Sequence, residues 1–392
     1  LKLAADAART FIETSPYGIY NYDKDRSMSY TMLFSQLTAP SEEVVLAKAY
    51  SKITQHTHKA TYYSFTDGAA ININKKFIDA FLMADGSRYT DKEGWETDIY
   101  YDEVTGRDPR LDQIVRCPGY HRLDHDVVMT TDFSASLTGY PYVKFCVSWN
   151  EQDDSFQGSD NDLPIIRAAE VYLNYAEAMA ERSDVKITQD DIDLSINPIR
   201  KRAGMPDMDL AWCNANPDNN YMGSARYGFR NVKGENKGVI LEIRRERMVE
   251  LAQEGEFRWY DLMRWKEGKI FEQPYLGMYF PGLEHGEGDN RFGVFDMNDG
   301  TLRDKDKVDI CIYTGKKPTG TLVKNIRKFY KLGDEFRFTD GLKGNIIVHD
   351  VKDEPRVWRE DRDYLYPIPV QERVLTNGNI TQNPNWEDGL DF

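Results

Sequence analysis

The strongest constraint on the fold lies between residues 163 and 266, where four amphipathic patterns of helical period follow one another. In residues 163–182, Ala169, Tyr172, Leu173, Ala176 and Met179 fall on one face, while Glu170, Asn174, Glu177 and Glu181 fall on the opposite one. A second pattern covers 189–203 and stops at Gly204 and Pro206. A loop rich in Asn, Gly and aromatic residues (212–237) leads to a third pattern at 238–252 and a fourth at 256–266. Helix pairs joined by short turns are the unit of α-solenoid repeats, although no strict repeat period runs through these. The charges on them alternate in sign: Arg167, Glu170, Glu177, Glu246, Arg247, Glu250, Arg258, Asp261 and Arg264. Arg–carboxylate pairs of this kind hold helices in register through bidentate hydrogen bonds. The expected fold is mainly α.

The flanks are less regular. Residues 1–49 read as mainly helical: Leu1, Ala4, Ala5, Ala8, Phe11 and Ile12 recur with helical period, Thr14–Gly18 breaks it, and the pattern ends in Glu42–Ala47. No capping residue precedes Leu1, and no initiator Met, signal peptide or lipoprotein cysteine stands near it. The expectation is that an N-terminal portion carrying the targeting information precedes Leu1. Residues 51–162 form short aromatic segments punctuated by Gly and Asp, with one amphipathic stretch at 75–83, and read as long loops with short strands. Long ordered loops tend to carry function. Beyond Phe271 the pattern is irregular again, with an acidic tract at 284–309 and a proline-punctuated tail.

Composition narrows the chemistry. The 392 residues carry 50 Lys+Arg against 65 Asp+Glu, a formal charge of −15, which argues against nucleic acid or an anionic membrane surface as a partner and fits a neutral ligand. No run is long enough to span a membrane. Cys117, Cys146, Cys213 and Cys311 are widely spaced and read as reduced core thiols. His121 and His125 have the spacing of a helical metal pair without the glutamate of H-E-x-x-H, and no G-x-S-x-G or P-loop occurs. No cofactor is expected. The one calcium reading rests on Asp296, Asn298, Asp299, Asp304 and Asp306, which miss the EF-hand register and suit a solvated loop. Glu254 with Asp261 is the acid pair that a glycosidase reading would need. Aromatic residues reach 12% of the chain, led by 24 Tyr.

Several blocks carry a resemblance. Residues 163–178 (LPIIRAAEVYLNYAEA) resemble the signature helix of the SusD/RagB family, the outer-membrane nutrient-binding lipoproteins of Bacteroidetes. Residues 197–204 (NPIRKRAG), 246–265 (ERMVELAQEGEFRWYDLMRW) and Tyr366-Pro367-Ile368-Pro369 with Asn379, Gln382-Asn383-Pro384 and Trp386 are similar to further family blocks, in the expected order. Weaker echoes lie at 77–81 with Asp85-Gly86 and at 107–111. Gln253 stands where the family usually has an aromatic or hydrophobic residue.

The resemblance implies a SusD-like α/α superhelix: TPR-like helix pairs packed against a loop-rich region with short strands. Residues 1–40 would be the remnant of an N-terminal helical region, and 41–392 the SusD/RagB-type domain. Within it, 51–162 would be the loop-rich ligand-binding part, 163–270 the helical signature region and 271–392 an irregular C-terminal part. The implied role is non-catalytic: a surface-exposed outer-membrane lipoprotein, anchored upstream of Leu1, that captures an oligosaccharide and delivers it to a SusC-like TonB-dependent transporter. The alternatives are peptide or other cargo on the same fold, a glycoside hydrolase, or a bare TPR scaffold. Sugar rings stack on flat aromatic side chains and need polar groups at the rim. Two clusters offer that chemistry: Tyr62, Tyr63, Phe65, Tyr89, Trp95, Tyr100 and Tyr101, and then Trp212, Tyr221, Tyr227 and Phe229 with Asn214, Asn216, Asn219 and Asn220. Family glycan contacts tend to precede the signature helix, which favours the first cluster, with Trp95 its leading member.

Overall fold

The computed structural model describes residues 1–65, 72–123, 125–129, 131, 133, 136–146, 155–255, 257–296, 309–335, 337–349 and 355–387. Among them run α1 (Lys2–Thr14), α2 (Ser29–Ser35), β1 (Val44–Lys48), α3 (Ala60–Phe65), α4 (Lys75–Ala80), α5 (Tyr100–Val104) and α6 (Arg110–Ile114). Then come β2 (Leu163–Arg167), α7 (Ala168–Glu181), α8 (Gln189–Ala203), α9 (Leu210–Ala215), α10 (Lys237–Glu250) and α11 (Phe257–Arg264). The chain continues through β3 (Tyr275–Phe280), β4 (His285–Glu287), β5 (Asn290–Asp296), β6 (Asp309–Tyr313), β7 (Lys328–Lys331), β8 (Arg337–Asp340), β9 (Lys343–His349) and α12 (Val370–Leu375).

The helices outweigh the strands, and α7 is the hub of the helical layer. Its buried Ala169, Tyr172, Leu173 and Ala176 pack into one core with α1, α8 and α10. α8 has the ends its residues predict. Thr188 and Asp191 form a reciprocal capping box, and Gly204 closes the helix at φ 76°, a conformation in which a Cβ would be strained.

α10 is buried on nearly every side, although Glu242, Arg244, Arg245, Glu246, Arg247 and Glu250 lie on it. Each of these six has an ion-pair partner. At the centre, Arg167 donates to Glu43 (2.7 Å), Glu250 (2.6 Å) and Glu254 (2.7 Å). Arg110 reaches Glu246 (2.5 Å) and Glu250 (3.0 Å), Arg202 reaches Glu43 (3.1 Å) and Glu250, and Lys144 reaches Glu254 (2.6 Å). Burial alone would push the Glu250 carboxyl up, yet the guanidiniums of Arg202, Arg167 and Arg110 hold it well below the usual carboxylate range. Of the alternating charges of the sequence, Arg167, Glu177, Glu246, Arg247, Glu250, Asp261 and Arg264 do pair, whereas Arg258 meets no described carboxylate, and Glu43, Arg110 and Lys144 join the pairs from outside the helical blocks.

Five segments depart from the sequence reading. The helical pattern assigned to 163–182 begins with a strand, as does the end of the pattern assigned to 1–49. β1 and β2 pair antiparallel, with Val44 opposite Arg167 and Lys48 opposite Leu163. The β-branched Val44, Val45, Ile165 and Ile166 suit the pleat, and the pairing joins residues about 120 apart, beyond the reach of a local period. Residues 51–162 hold the short helices α3–α6, with isolated bridges such as His58–Ser159 in place of short strands among the described residues. The loop expected at 212–237 starts inside α9.

The stretch 271–349, expected to be irregular, forms two small sheets. One has the order β3-β9-β8, the other β4-β5-β6-β7, with β6 and β7 parallel. Their buried Met278, Phe280, Ile310, Ile312, Tyr330, Phe338 and Ile346 make a second core with Tyr100 and Tyr140 from the loop-rich part. Of the calcium candidates, Asn298, Asp299, Asp304 and Asp306 lie outside the described residues, as does the side chain of Asp296. His121 and His125 lie outside any helix, so their spacing does not bring them onto one helical face. All four cysteines are buried free thiols. No described helix is long and apolar enough to cross a membrane.

Candidate functional site

Two adjoining cavities open where α4 meets α11 and the segment leading into β3. Asn74 caps α4, its side chain accepting from the Phe77 N–H at 3.0 Å, and so sets two consecutive lysines on the first turn. Lys75 is neutralised by Asp79 (2.9 Å) and Glu103 (2.5 Å), and these carboxylates outweigh burial and raise its pKa. Lys76 differs. Its Nζ is buried without a hydrogen-bond partner, and burial together with the nearby Arg258 guanidinium pushes it down to about 7.

The smaller cavity, about 120 Å³, is lined by Lys75, Lys76, Trp95, Glu96, Arg226 and Tyr227 among others. The larger, about 320 Å³, runs between Phe77, Met248, Phe257, Arg258, Phe271 and Tyr275. Asn74, Lys76, Gln273 and Pro274 wall both. Gln253, the departure from the family block, is exposed with φ 60° and lines the larger cavity.

Trp95 starts a 3-10 turn behind Gly94, whose φ of 79° favours glycine. Its half-buried ring meets Tyr89 (6.0 Å), Tyr221 (5.8 Å) and Tyr227 (5.8 Å) at steep angles, and Tyr221 stacks on Tyr227 at 5.0 Å. Hydrogen bonds lock this cluster: Tyr89 Oη donates to the Trp95 carbonyl (3.1 Å) and to Asp98 (2.9 Å), and Tyr221 Oη donates to the Lys76 carbonyl (2.6 Å). Tyr227 Oη donates to Glu96 at 3.3 Å. The result is a fixed aromatic wall with carboxylate, amide, ammonium and guanidinium groups around it. That combination suits a ligand with apolar faces and hydroxyl edges.

The aromatic residues singled out from the sequence therefore separate. Trp95, Tyr89 and Tyr221 come together from both clusters, with Tyr227. Tyr89 (2% exposed), Tyr100 (4%) and Tyr221 (1%) are core residues, and a ring so covered has no free face for a ligand; they are supports. Tyr100 donates to the Arg116 carbonyl (2.7 Å) and packs on Tyr140. Tyr101 is partly buried on α5, outside both cavity linings. Tyr62 and Tyr63 make a different patch with Phe156. Trp212 is 49% exposed on α9 beside Arg88, in another hollow. The sequence reading missed Lys76, Arg226, Arg258, Gln273 and Asn345. The adjacent Lys75-Lys76 in an apolar setting was the one local signal.

Glu254 and Asp261 are both consumed in ion pairs. Glu254 meets Arg167 and Lys144, which overcome burial and keep its carboxyl low, the opposite of what a general acid requires. Asp261 meets Arg247 (2.6 Å) and Arg264 (2.8 Å).

Residues 42–386 match the SusD family. No curated protein matches the chain. Among solved structures, the chain is similar to a SusD-like carbohydrate binding protein of Bacteroides fragilis, with 22% identity and a TM-score of 0.52 over 72% of this chain and 52% of that one. It is also similar to a second SusD-like protein of that organism, with 20% identity and a TM-score of 0.59 over 98% of this chain and 62% of that one. The chain thus spans less than two thirds of both neighbours' lengths. At such identities the likeness concerns the fold. The signature blocks lie on β2–α7, the end of α8 and α10–α11, where most of their charges pair, and the match extends over most of the sequence. The chain belongs to the SusD family.

Proposed function

We propose that this protein is a non-catalytic binding protein that captures an oligosaccharide against the Trp95 wall. The observation that carries the reading is Trp95 itself: a half-buried ring, held by three tyrosines, lining a cavity whose rim is polar. Its likeness to the SusD-like carbohydrate binding protein of Bacteroides fragilis supports it. In this reading α1, α7, α8 and α10 belong to a TPR-like superhelix that carries the binding loops. The molecule is a lipoprotein on the outer-membrane surface, and a SusC-like TonB-dependent transporter receives its cargo.

Calorimetry against a glycan panel tests the site. Trp95→Ala should weaken the best ligand about tenfold to a hundredfold through the lost ring contact. Trp95→Phe should restore part of that affinity, and thermal melting of both variants controls for folding. Undiminished binding by Trp95→Ala removes the site assignment. One feature favours the hydrolase alternative: Asp79, which burial holds high, lines the smaller cavity with Glu96. It is, however, turned onto Lys75 at 2.9 Å. Release of shortened products from a bound glycan would establish hydrolysis, and intact recovery supports capture.

A further inference from the structure

We infer that the larger cavity receives an oxyanion of the ligand, the carboxylate or sulfate of an acidic sugar, between Lys76 Nζ and the Arg258 guanidinium. This rests on the glycan-binding reading and specifies its ligand. The chain as a whole is strongly acidic, at −15, and a neutral ligand was the expectation from that balance. The cavity reverses the sign locally. Its described lining carries three cations, Lys76, Arg247 and Arg258, against one carboxylate, Asp261. Asp261 is already taken by Arg247 at 2.6 Å and by Arg264 at 2.8 Å. Arg247 also donates to Asn174 at 2.7 Å.

Lys76 and Arg258 are left over. Lys76 Nζ and Arg258 Nη1 are buried with no hydrogen-bond partner, while the Arg258 guanidinium lies 5.1 Å from the Phe229 ring centre. Elsewhere in this protein buried cations such as Arg110, Arg167 and Arg202 sit on two or more carboxylates. A buried cation without a counter-charge is unfavourable, and two that repel each other are more so. Burial and the Arg258 charge bring Lys76 down to about 7, and burial brings Arg258 down to about 10 although Asp261 and Glu267 attract it. An oxyanion between them would satisfy both donors and hold Lys76 in its charged form. The neighbouring Trp95 wall, which shares Lys76 as a lining residue, would hold the adjoining sugar ring.

Calorimetry at fixed ionic strength would compare the full chain with an oligogalacturonide, its methyl ester, a sulfated oligosaccharide, a neutral oligosaccharide and an acidic tripeptide. A charged sugar, carboxylated or sulfated, should bind at least about tenfold more tightly than the methyl ester. Lys76→Met and Arg258→Met should each abolish most of that preference, so that acid and methyl ester bind each variant alike. Melting curves confirm that the variants fold, and Lys76→Met should melt no lower than wild type because it removes an uncompensated charge. Equal binding of acid and ester by wild type overturns the proposal, as does a preference that survives in both variants. If the neutral oligosaccharide binds and no charged sugar is preferred, the anion site fails while the glycan reading stands. If only the tripeptide binds, or no probe binds, both fail.

Discussion

Arg167→Met should lower the stability of this protein by about 3–5 kcal/mol, read as a shift of the denaturant midpoint at unchanged slope. Arg167 is the last residue of β2, and its side chain leaves the strand directly into the buried ion cluster. It donates both to the Glu254 carboxylate and to the Glu250 carbonyl (2.8 Å), and it also pairs with Glu43 and Glu250. A methionine fills similar volume, so the lost packing is small. What remains is three buried carboxylates that share Arg110, Arg202 and Lys144. Leaving a buried charge short of its partner is one of the costliest single changes available to a fold. A shift below about 1 kcal/mol would show that the cluster is dispensable.

Acid should act on the same cluster. Burial raises the Glu250 and Glu254 carboxyls, but Arg202, Arg167 and Arg110 in the first case, and Arg167 and Lys144 in the second, bring both below their usual value. A carboxyl lowered on folding binds fewer protons in the native state than in the unfolded chain. Its contribution is therefore complete above the unfolded pKa of about 4.3 and is lost as pH falls through the folded value. Titration of the wild-type midpoint from neutral pH downward should show this loss, and Arg167→Met should flatten it.

Gly238→Ala should destabilise the protein by about 2 kcal/mol or more, although alanine is the better helix former by about 1 kcal/mol. Gly238 lies in the first turn of α10, and a Cβ there would run into the Cys213 carbonyl and Asn214 backbone of α9. The two helices cannot simply part, because Asn214 accepts a hydrogen bond from the Val239 N–H at 3.0 Å. Pushing them apart would also disturb the loop between them, which carries Tyr221 and Tyr227 to the Trp95 cluster. Loss of stability should therefore be accompanied by weaker glycan binding, measured by melting and calorimetry on the same sample. A gain in stability would mean that the backbones are not in contact.

What local sequence can report is visible in α8. Its capping residues, its apolar stripe and its terminal glycine are all neighbours in the chain, and the helix ends where they place it. The family blocks were legible for the same reason. β1 and β2 were not: Val44–Lys48 and Leu163–Arg167 become strands only by pairing with each other. The sheets of 275–349 likewise rest on partners distant in sequence. For the site, the aromatic type was legible but exposure was not. Trp95 and Tyr100 stand five positions apart in one aromatic segment, yet one lines a cavity and the other is 4% exposed in the core.

The sequence by itself determined the helical signature region, the family and the kind of side chain available to grip a ligand, because periodicity, caps and motifs are properties of adjacent residues. The tertiary structure alone decided which charges are neutralised. Lys75 and Lys76 are the same residue side by side, and both are drawn inward. Glu103, 28 residues further on, meets the first, and no described carboxylate meets the second. A charge is paired or stranded according to what the whole fold brings within a few ångströms, and no local pattern records that distance.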